Sequence, residues 1–385
     1  MSNEYLIDRD NKNIAKAKAL LTELPPYVKQ FYDAKKSAKK ELTRYAYVQD
    51  IKDFLSYLAP IHHKEVKDFP FELLGELTVQ DIDEYRNVLL KDYAPSSVKR
   101  KLASLSSFFK YMVLAGFIKN NPAAIIDWPA EDKSKAIIYL DDEQTAALLS
   151  GIRANNKQIY YLNEDGEAAV SAKSISVVNK GASKNKHTSY YVGAISDYTK
   201  KRREPVILRN YVITLLFLKT GIRVSELVSI DLGDIDFRKN MIYVTGKGGK
   251  TRPVSFDEEE IVKALKDYIN ECRPSLLGNS YTEKALFVTQ RGKRISVRNV
   301  EAMIKEMVQT YLADDDSVNK ADFSPHKLRS TCATRLLKET GNIKGVSDLL
   351  GHESISMTAS RYAELEKEAN AIEMGAQKLV LGTKK

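Results

Sequence analysis

The sequence is poor in cysteine, histidine and tryptophan: its 385 residues include two cysteines, five histidines and one tryptophan. Cys272 and Cys332 lie far apart, with no histidine at ligand spacing. That excludes a disulfide framework and a zinc module, and it fits a reducing cytoplasm. Long apolar runs are missing too. None approaches the roughly 18 consecutive apolar residues of a membrane span. The charged start, MSNEYLIDRDNK, lacks the apolar stretch of a secretory signal. A soluble cytoplasmic protein is therefore expected. No acidic cluster offers a metal site, no Ser-His-Asp or Cys-His order is apparent, and no repeat or low-complexity tract occurs, so no metal and no cofactor are expected. What the chain does have is basic charge. Lysine and arginine number 60 against 51 acids, for a net charge of +9 and a pI of about 9.1. Such a balance favours polyanionic partners such as nucleic acid.

The length suits two domains, each with its own core. Residues 1–40 read as one or two helices broken at Pro25-Pro26 and followed by a lysine-rich stretch. From Thr43 onward Tyr45, Val48, Ile51, Phe54, Leu55 and Leu58 recur at helical spacing. A second helix is expected over 79–90. A third begins after Ser96, buries Val98, Leu102, Leu105, Phe108, Phe109 and Met112, and ends at Gly116. Lys99, Arg100 and Lys101 fall on or beside its polar side. They are candidates for phosphate contact if the rest of the chain handles DNA, and a solvated face otherwise. The Pro-bounded stretch 121–129, with 130–134, marks a domain boundary, so residues 1–130 are expected to form an all-helical N-terminal domain. Residues 131–385 form the second. It opens with a helix over 141–151. An insert of about 50 residues follows (153–205), where the helical period disappears and ten basic residues face five acids. Asn163-Glu164-Asp165-Gly166 is its hairpin-like turn. Regular structure is expected to resume with a buried helix at Leu208 that stops at Gly221. Short strands are expected at 241–244, 252–256 and 286–288, with helices after them. The fold class is thus mostly α with a small antiparallel β-sheet in the second domain.

Five segments concentrate the polar chemistry: TGIRVSEL (220–227), GKGGKTR (246–252), SPHKLR (324–329), LLGH (349–352) and RY (361–362). Arg223 lies two residues past a helix-ending glycine; alone it reads equally as a surface arginine paired to Glu226. Gly249-Lys250-Thr251 matches the end of the phosphate-loop pattern G-x-x-x-x-G-K-[ST]. Position 244, where the first glycine belongs, is valine, so a tight hairpin turn with a protruding Lys247 remains. Ser324 and Pro325 suit a helix start, which places His326 and Arg329 three apart on one face near the positive end of the helix dipole. His352 and Tyr362 carry little weight singly. Together, two arginines, a lysine, two histidines and a tyrosine form a set that can cut a phosphodiester without metal. Arginines clamp non-bridging oxygens, a lysine can protonate a leaving oxygen, and histidines can relay protons. A phenol can attack covalently and store the bond energy.

In order and approximate spacing these motifs resemble the tyrosine recombinase (phage integrase) family, and its bacterial Xer group in particular. The likeness is specific over about 208–365. It is looser over 43–130, where SSVKRKL (96–102) and Asn121-Pro122-Ala123 resemble the family's core-binding domain. The resemblance implies a two-domain DNA clamp that cuts and rejoins strands through a 3′-phosphotyrosine on Tyr362. It makes Arg223 and Arg329 phosphate-binding arginines and Lys247 the general acid. His326 and His352 would assist the phosphate and the proton transfers, and Glu226 would orient Arg223. Lys250 and Arg252 join Lys99, Arg100 and Lys101 as candidate DNA contacts. The implied partners are a double-stranded recombination site and three further copies in a tetramer, with residues 363–379 docked on a neighbouring subunit. The implied role is resolution of chromosome or plasmid dimers. Other readings are the integrase of a mobile element, a catalytically silent DNA-binding protein on the same fold, or a type IB topoisomerase. Two departures stand out. Tyr362 follows His352 by ten positions where the family usually has nine, and most members lack the 153–205 insert in this form.

Overall fold

In the computed structural model, the residues described are 4–37, 40–126, 128–129, 138–162, 168–169, 190–246, 249–280 and 282–351. The chain divides into two compact units, Met1–Lys135 and Ala136–Lys385.

The first unit is helical: α1 (Glu4–Leu21), α2 (Pro26–Ala34), α3 (Glu41–Ile61), α4 (Phe71–Glu76), α5 (Val79–Asp92) and α6 (Pro95–Leu114). Three of these starts have a local cause. Pro26 and Pro95 occupy first-turn positions, where a missing N–H costs nothing. Thr78 and Asp81 close a capping box at the start of α5. Aromatic residues fill the core. Phe31 meets Phe108 edge-on at 5.4 Å, and Phe54 lies between Tyr85 (5.0 Å) and Phe109 (5.9 Å). The six apolar residues expected on α6 are all buried. Two polar residues join them, Ser104 and Lys101; Lys101, expected on the polar side, is 6% exposed, and its ammonium lies 2.7 Å from Asp53.

The second unit is built around one long helix, α8 (Asp197–Thr220), whose residues from Ile207 to Thr220 are buried almost all round. A helix apolar on every side must sit centrally. It packs against α7 (Asp142–Ala154), α10 (Glu259–Asp267), the π turn Tyr268–Cys272, α11 (Arg273–Leu277) and α13 (Pro325–Thr340). The other helices are α9 (Val224–Leu227), α12 (Val297–Tyr311) and α14 (Ile343–Leu350). The long helix begins eleven residues before the expected Leu208. Ser196 caps it, and its first turns carry Lys200 to Pro205, which the sequence reading had assigned to the insert. The amphipathic period is hidden there because basic residues cluster beside Pro205.

The insert does contain strands. β1 (Lys157–Leu162) pairs antiparallel with β2 (Ala168–Ala169) and with β3 (Tyr190–Ala194), giving the order β2-β1-β3. A second antiparallel sheet, β4-β5-β6, joins Ile235–Asp236, Met241–Thr245 and Thr251–Ser255. The third strand expected at 286–288 is replaced by β4. Residues 285 and 288 form only isolated bridges, to Asp231 and Arg294, and Leu286 donates to the Ile230 carbonyl.

Candidate active site

The site begins where α8 ends. Gly221 takes the left-handed conformation (φ 57°) that closes the helix, and the chain turns sharply so that Arg223 becomes the N-cap of α9. Three residues on, Glu226 folds back. Its carboxylate accepts the Arg223 backbone N–H at 3.0 Å and the Arg223 guanidinium at 2.8 Å. Glu226 is 1% exposed, and a carboxylate so deep is tolerated only when its oxygens are paired. A second arginine completes the pairing: Arg252, on β6, donates to Glu226 Oε2 at 3.0 Å.

Helix α13 supplies a third guanidinium. Arg329 is 4% exposed and spans two carbonyls, donating from Nη1 to Gly221 and from Nη2 to Leu350. The end of α14 ties the three together. Arg252 donates to the Leu349 carbonyl at 3.2 Å, Arg329 to that of Leu350, and Arg223 to that of Gly351 at 2.8 Å. The last carbonyls of a helix lack intrahelical partners and carry partial negative charge, so they attract cations. Here three successive carbonyls each take a different arginine.

The electrostatics follow from this crowding. Burial alone would raise the Glu226 carboxyl. The Arg223 backbone N–H, the Arg252 charge and the Arg223 guanidinium outweigh it and hold the group below its ordinary value. Burial pushes Arg329 down to about 10, with the Arg223 charge adding to the effect, Glu226 opposing it and Arg252 adding again. Cys332, one turn along α13, is pushed up to about 12 by burial and is a neutral packing thiol. Three guanidiniums thus surround one carboxylate among the described residues, and two of them bind it. That excess of positive charge, carried on guanidinium forks that match phosphate oxygens, is suited to a phosphodiester. Among the described residues no His/Cys/Asp/Glu group is placed to hold a metal ion.

The structure therefore brings Arg223, Glu226, Arg252 and Arg329 together. Arg252 was expected as a DNA contact, and its place in this cluster was not legible from the motif. His326 is exposed at the second position of α13, whereas Arg329 is buried. Three residues advance a helix by about 300°, which leaves the two side chains neighbours about 60° apart around the axis. Ser324 holds the N-cap position, but no side-chain cap bond is made. Gly351 ends α14 in the left-handed conformation. Lys247, His352 and Tyr362 lie outside the described residues. The residues that flank Lys247, Gly246 and Gly249-Lys250, are described. The β5–β6 ladder closes at Thr245–Thr251, and Gly246 donates to the Lys250 carbonyl at 2.8 Å. A Cβ on Gly246 would stand 3.4 Å from Glu226 Oε1, so the turn starts beside the arginine cluster. Lys250 in that turn is exposed, as is Lys99 on α6.

The remaining DNA-contact candidates fare differently. Arg100 is half exposed, but both its terminal nitrogens bind Asp50, with Nη2 at 2.8 Å. The Lys101 expectation needs correction. Its ammonium is buried and committed to Asp53 and Asp50, so it is not presented to a phosphate.

Comparison with known proteins gives the site its context. The phage integrase family model matches residues 189–369, and a phage integrase N-terminal SAM-like domain matches residues 28–115. The tyrosine recombinase XerC of Bifidobacterium longum subsp. infantis is 31% identical over 304 residues, covering 77% of this chain and 82% of that protein. This chain is a tyrosine recombinase of the phage integrase family. The XerC of Caldanaerobacter subterraneus subsp. tengcongensis is 30% identical over 352 residues, 87% of this chain and 82% of its own. Among solved structures, a Tn1549 transposon integrase in complex with circular intermediate DNA covers 87% of the recombinase at TM-score 0.57 and 19% identity, with 94% of its own chain matched. XerH bound to difH covers 89% at TM-score 0.54 and 18% identity, with 82% of its chain matched. At those identities the structures establish the shared fold. In this recombinase the family match to residues 189–369 takes in Arg223, Arg252, Arg329 and Tyr362.

Proposed function

We propose that the recombinase binds a double-stranded DNA site and exchanges strands through a 3′-phosphotyrosine on Tyr362, without metal or ATP. The observation that carries this reading is the meeting of Arg223 and Arg329 at the end of α14, where the chain passes into the segment bearing His352 and Tyr362. The two guanidiniums take the non-bridging oxygens of the scissile phosphate and offset the charge of the pentavalent transition state. The Tyr362 phenol attacks phosphorus as the bond to the 5′ oxygen breaks. Lys247 gives that oxygen its proton, while His326 and His352 assist the phosphate and the proton transfers. A 5′-hydroxyl from the partner duplex then attacks the phosphotyrosine and releases the phenol, so the phosphodiester energy is conserved throughout. Exposed Lys99 and Lys250, with the outer face of Arg100, contact the DNA backbone. One nucleophile per subunit and four cuts per exchange require four copies on two sites, with residues 363–379 docked on a neighbour.

The XerC relatives support resolution of chromosome or plasmid dimers in the cytoplasm as the biological role. No described helix is long and apolar enough to cross a membrane. A suicide substrate, nicked so that the cut end diffuses away, tests the chemistry. Wild-type protein is expected to become covalently attached to the 3′ end in EDTA, and Tyr362→Phe to bind the site without attachment. Adduct formation by the Phe variant, or none by wild type on its mapped genomic site, defeats the reading. Mapping that site also decides the role: a site at the replication terminus fits dimer resolution, and element ends fit an integrase.

A further inference from the structure

We propose that Arg252 is a positioning residue of the recombinase site, fixing Glu226 and the end of α14 relative to each other so that Arg223 is held in register. This inference rests on the proposed function. The geometry points to a bridging role, because each terminal nitrogen of the guanidinium is bonded to a different element. Nη2 donates to Glu226 at 3.0 Å and Nη1 to the Leu349 carbonyl at 3.2 Å. Nε is buried without an acceptor among the described residues. It faces Gly351, where an added Cβ would stand 3.0 Å from Nε and 3.3 Å from Cδ. Arg252 therefore joins three elements: its own strand β6, the α9 turn through Glu226, and the C-terminus of α14. Arg223 shares Glu226 with it and holds a different carbonyl, that of Gly351, at the same helix end. One buried carboxylate and one helix end thus fix both guanidiniums relative to each other.

Without Arg252, Glu226 keeps the backbone N–H and guanidinium of Arg223 as its donors among the described residues. Among those residues the charged groups facing Glu226 are Arg223 from its own turn, Arg252 from β6 and Arg329 from α13. Removing the second guanidinium lets burial raise the Glu226 carboxyl. Protonation then weakens its hold on Arg223. The result expected of a positioning residue is a defect in the cleavage step that worsens toward acid pH. A residue that touches phosphate would instead lose DNA affinity and flatten the salt dependence of binding by about one unit of log–log slope.

The test uses full-length wild type, Arg252→Gln, Arg252→Lys and the double variant Arg252→Gln/Glu226→Gln. Readouts are single-turnover adduct formation at saturating protein from pH 5.5 to 8.5, and DNA affinity against salt. Arg252→Gln is expected to bind with an unchanged salt slope and to cleave about 10²-fold more slowly, the penalty of misplacing a reacting group by about 1 Å. Its acid limb is expected at higher pH than that of wild type. Arg252→Lys keeps the charge but not the two-point span, and is expected to restore the acid limb and only part of the rate. The double variant is expected to be no slower than the slower single, because the two residues act through each other. Wild-type cleavage by Arg252→Gln, or a reduced salt slope with normal cleavage at saturation, overturns the inference while leaving the recombinase reading standing. Failure of wild type to form adduct overturns that reading instead.

Discussion

Glu226 has almost no access to water, and two guanidiniums and a backbone N–H occupy its oxygens. Its folded carboxyl lies below its ordinary value. The stability it contributes is therefore present above the unfolded value of about 4.3 and is lost as pH falls through the folded one. Glu226→Gln is expected to cost about 3 kcal/mol at pH 7, because it leaves buried arginines short of a counter-charge. In denaturant melts the gap from wild type should narrow progressively below about pH 4.3. A gap that stays constant with pH would mean that packing, not charge, is what the substitution removes. At this scale the sequence disclosed residue identities well and environments poorly. Arg223, Arg329 and Glu226 were legible because their spacing to glycine and proline is local information. The depth of Glu226, the burial of Lys101 and the role of Arg252 depend on partners 26 to 51 positions away, and no local pattern encodes them.

Helix ends do most to build the cleft. The end of α8 places Arg223, and the end of α14 offers the three carbonyls. They meet at Gly221, where an added Cβ would stand 3.0 Å from Leu350 Cδ2 in a left-handed conformation (φ 57°). Gly221→Ala combines backbone strain with that contact and is expected to destabilise the second unit by about 1–3 kcal/mol, read as a lowered thermal midpoint. It should also slow adduct formation, since Arg329 donates to the Gly221 carbonyl. An unchanged midpoint would show that the turn can repack. The helices of the first unit and the β5–β6 hairpin were readable from apolar period and turn residues. The start of α8 was not, because Lys200 to Arg203 and Pro205 mask the helical signal that Ser196 initiates. The strand expected at 286–288 was misread because Leu286, Phe287 and Val288 are fully buried, and a short buried apolar run has no period to distinguish it.

The two units, Met1–Lys135 and Ala136–Lys385, each carry a core of their own. A fragment of residues 1–135 is large enough to fold by itself and is expected to melt cooperatively. Within the full chain, Phe108→Ala, which removes a ring packed against Tyr27, Phe31 and Phe109, is expected to cost about 3–5 kcal/mol. In calorimetry it should lower only the transition of the first unit. A coupled shift of both transitions would show that the units unfold as one. At the level of the whole molecule, the account depends on covalent chemistry at one tyrosine whose distance from His352 is one residue longer than the family habit. The most direct measurement is to digest the adduct trapped on a suicide substrate and locate the nucleotide-bearing residue by mass spectrometry. The account predicts the modification on Tyr362. A modified Tyr311, or any residue other than Tyr362, would contradict it.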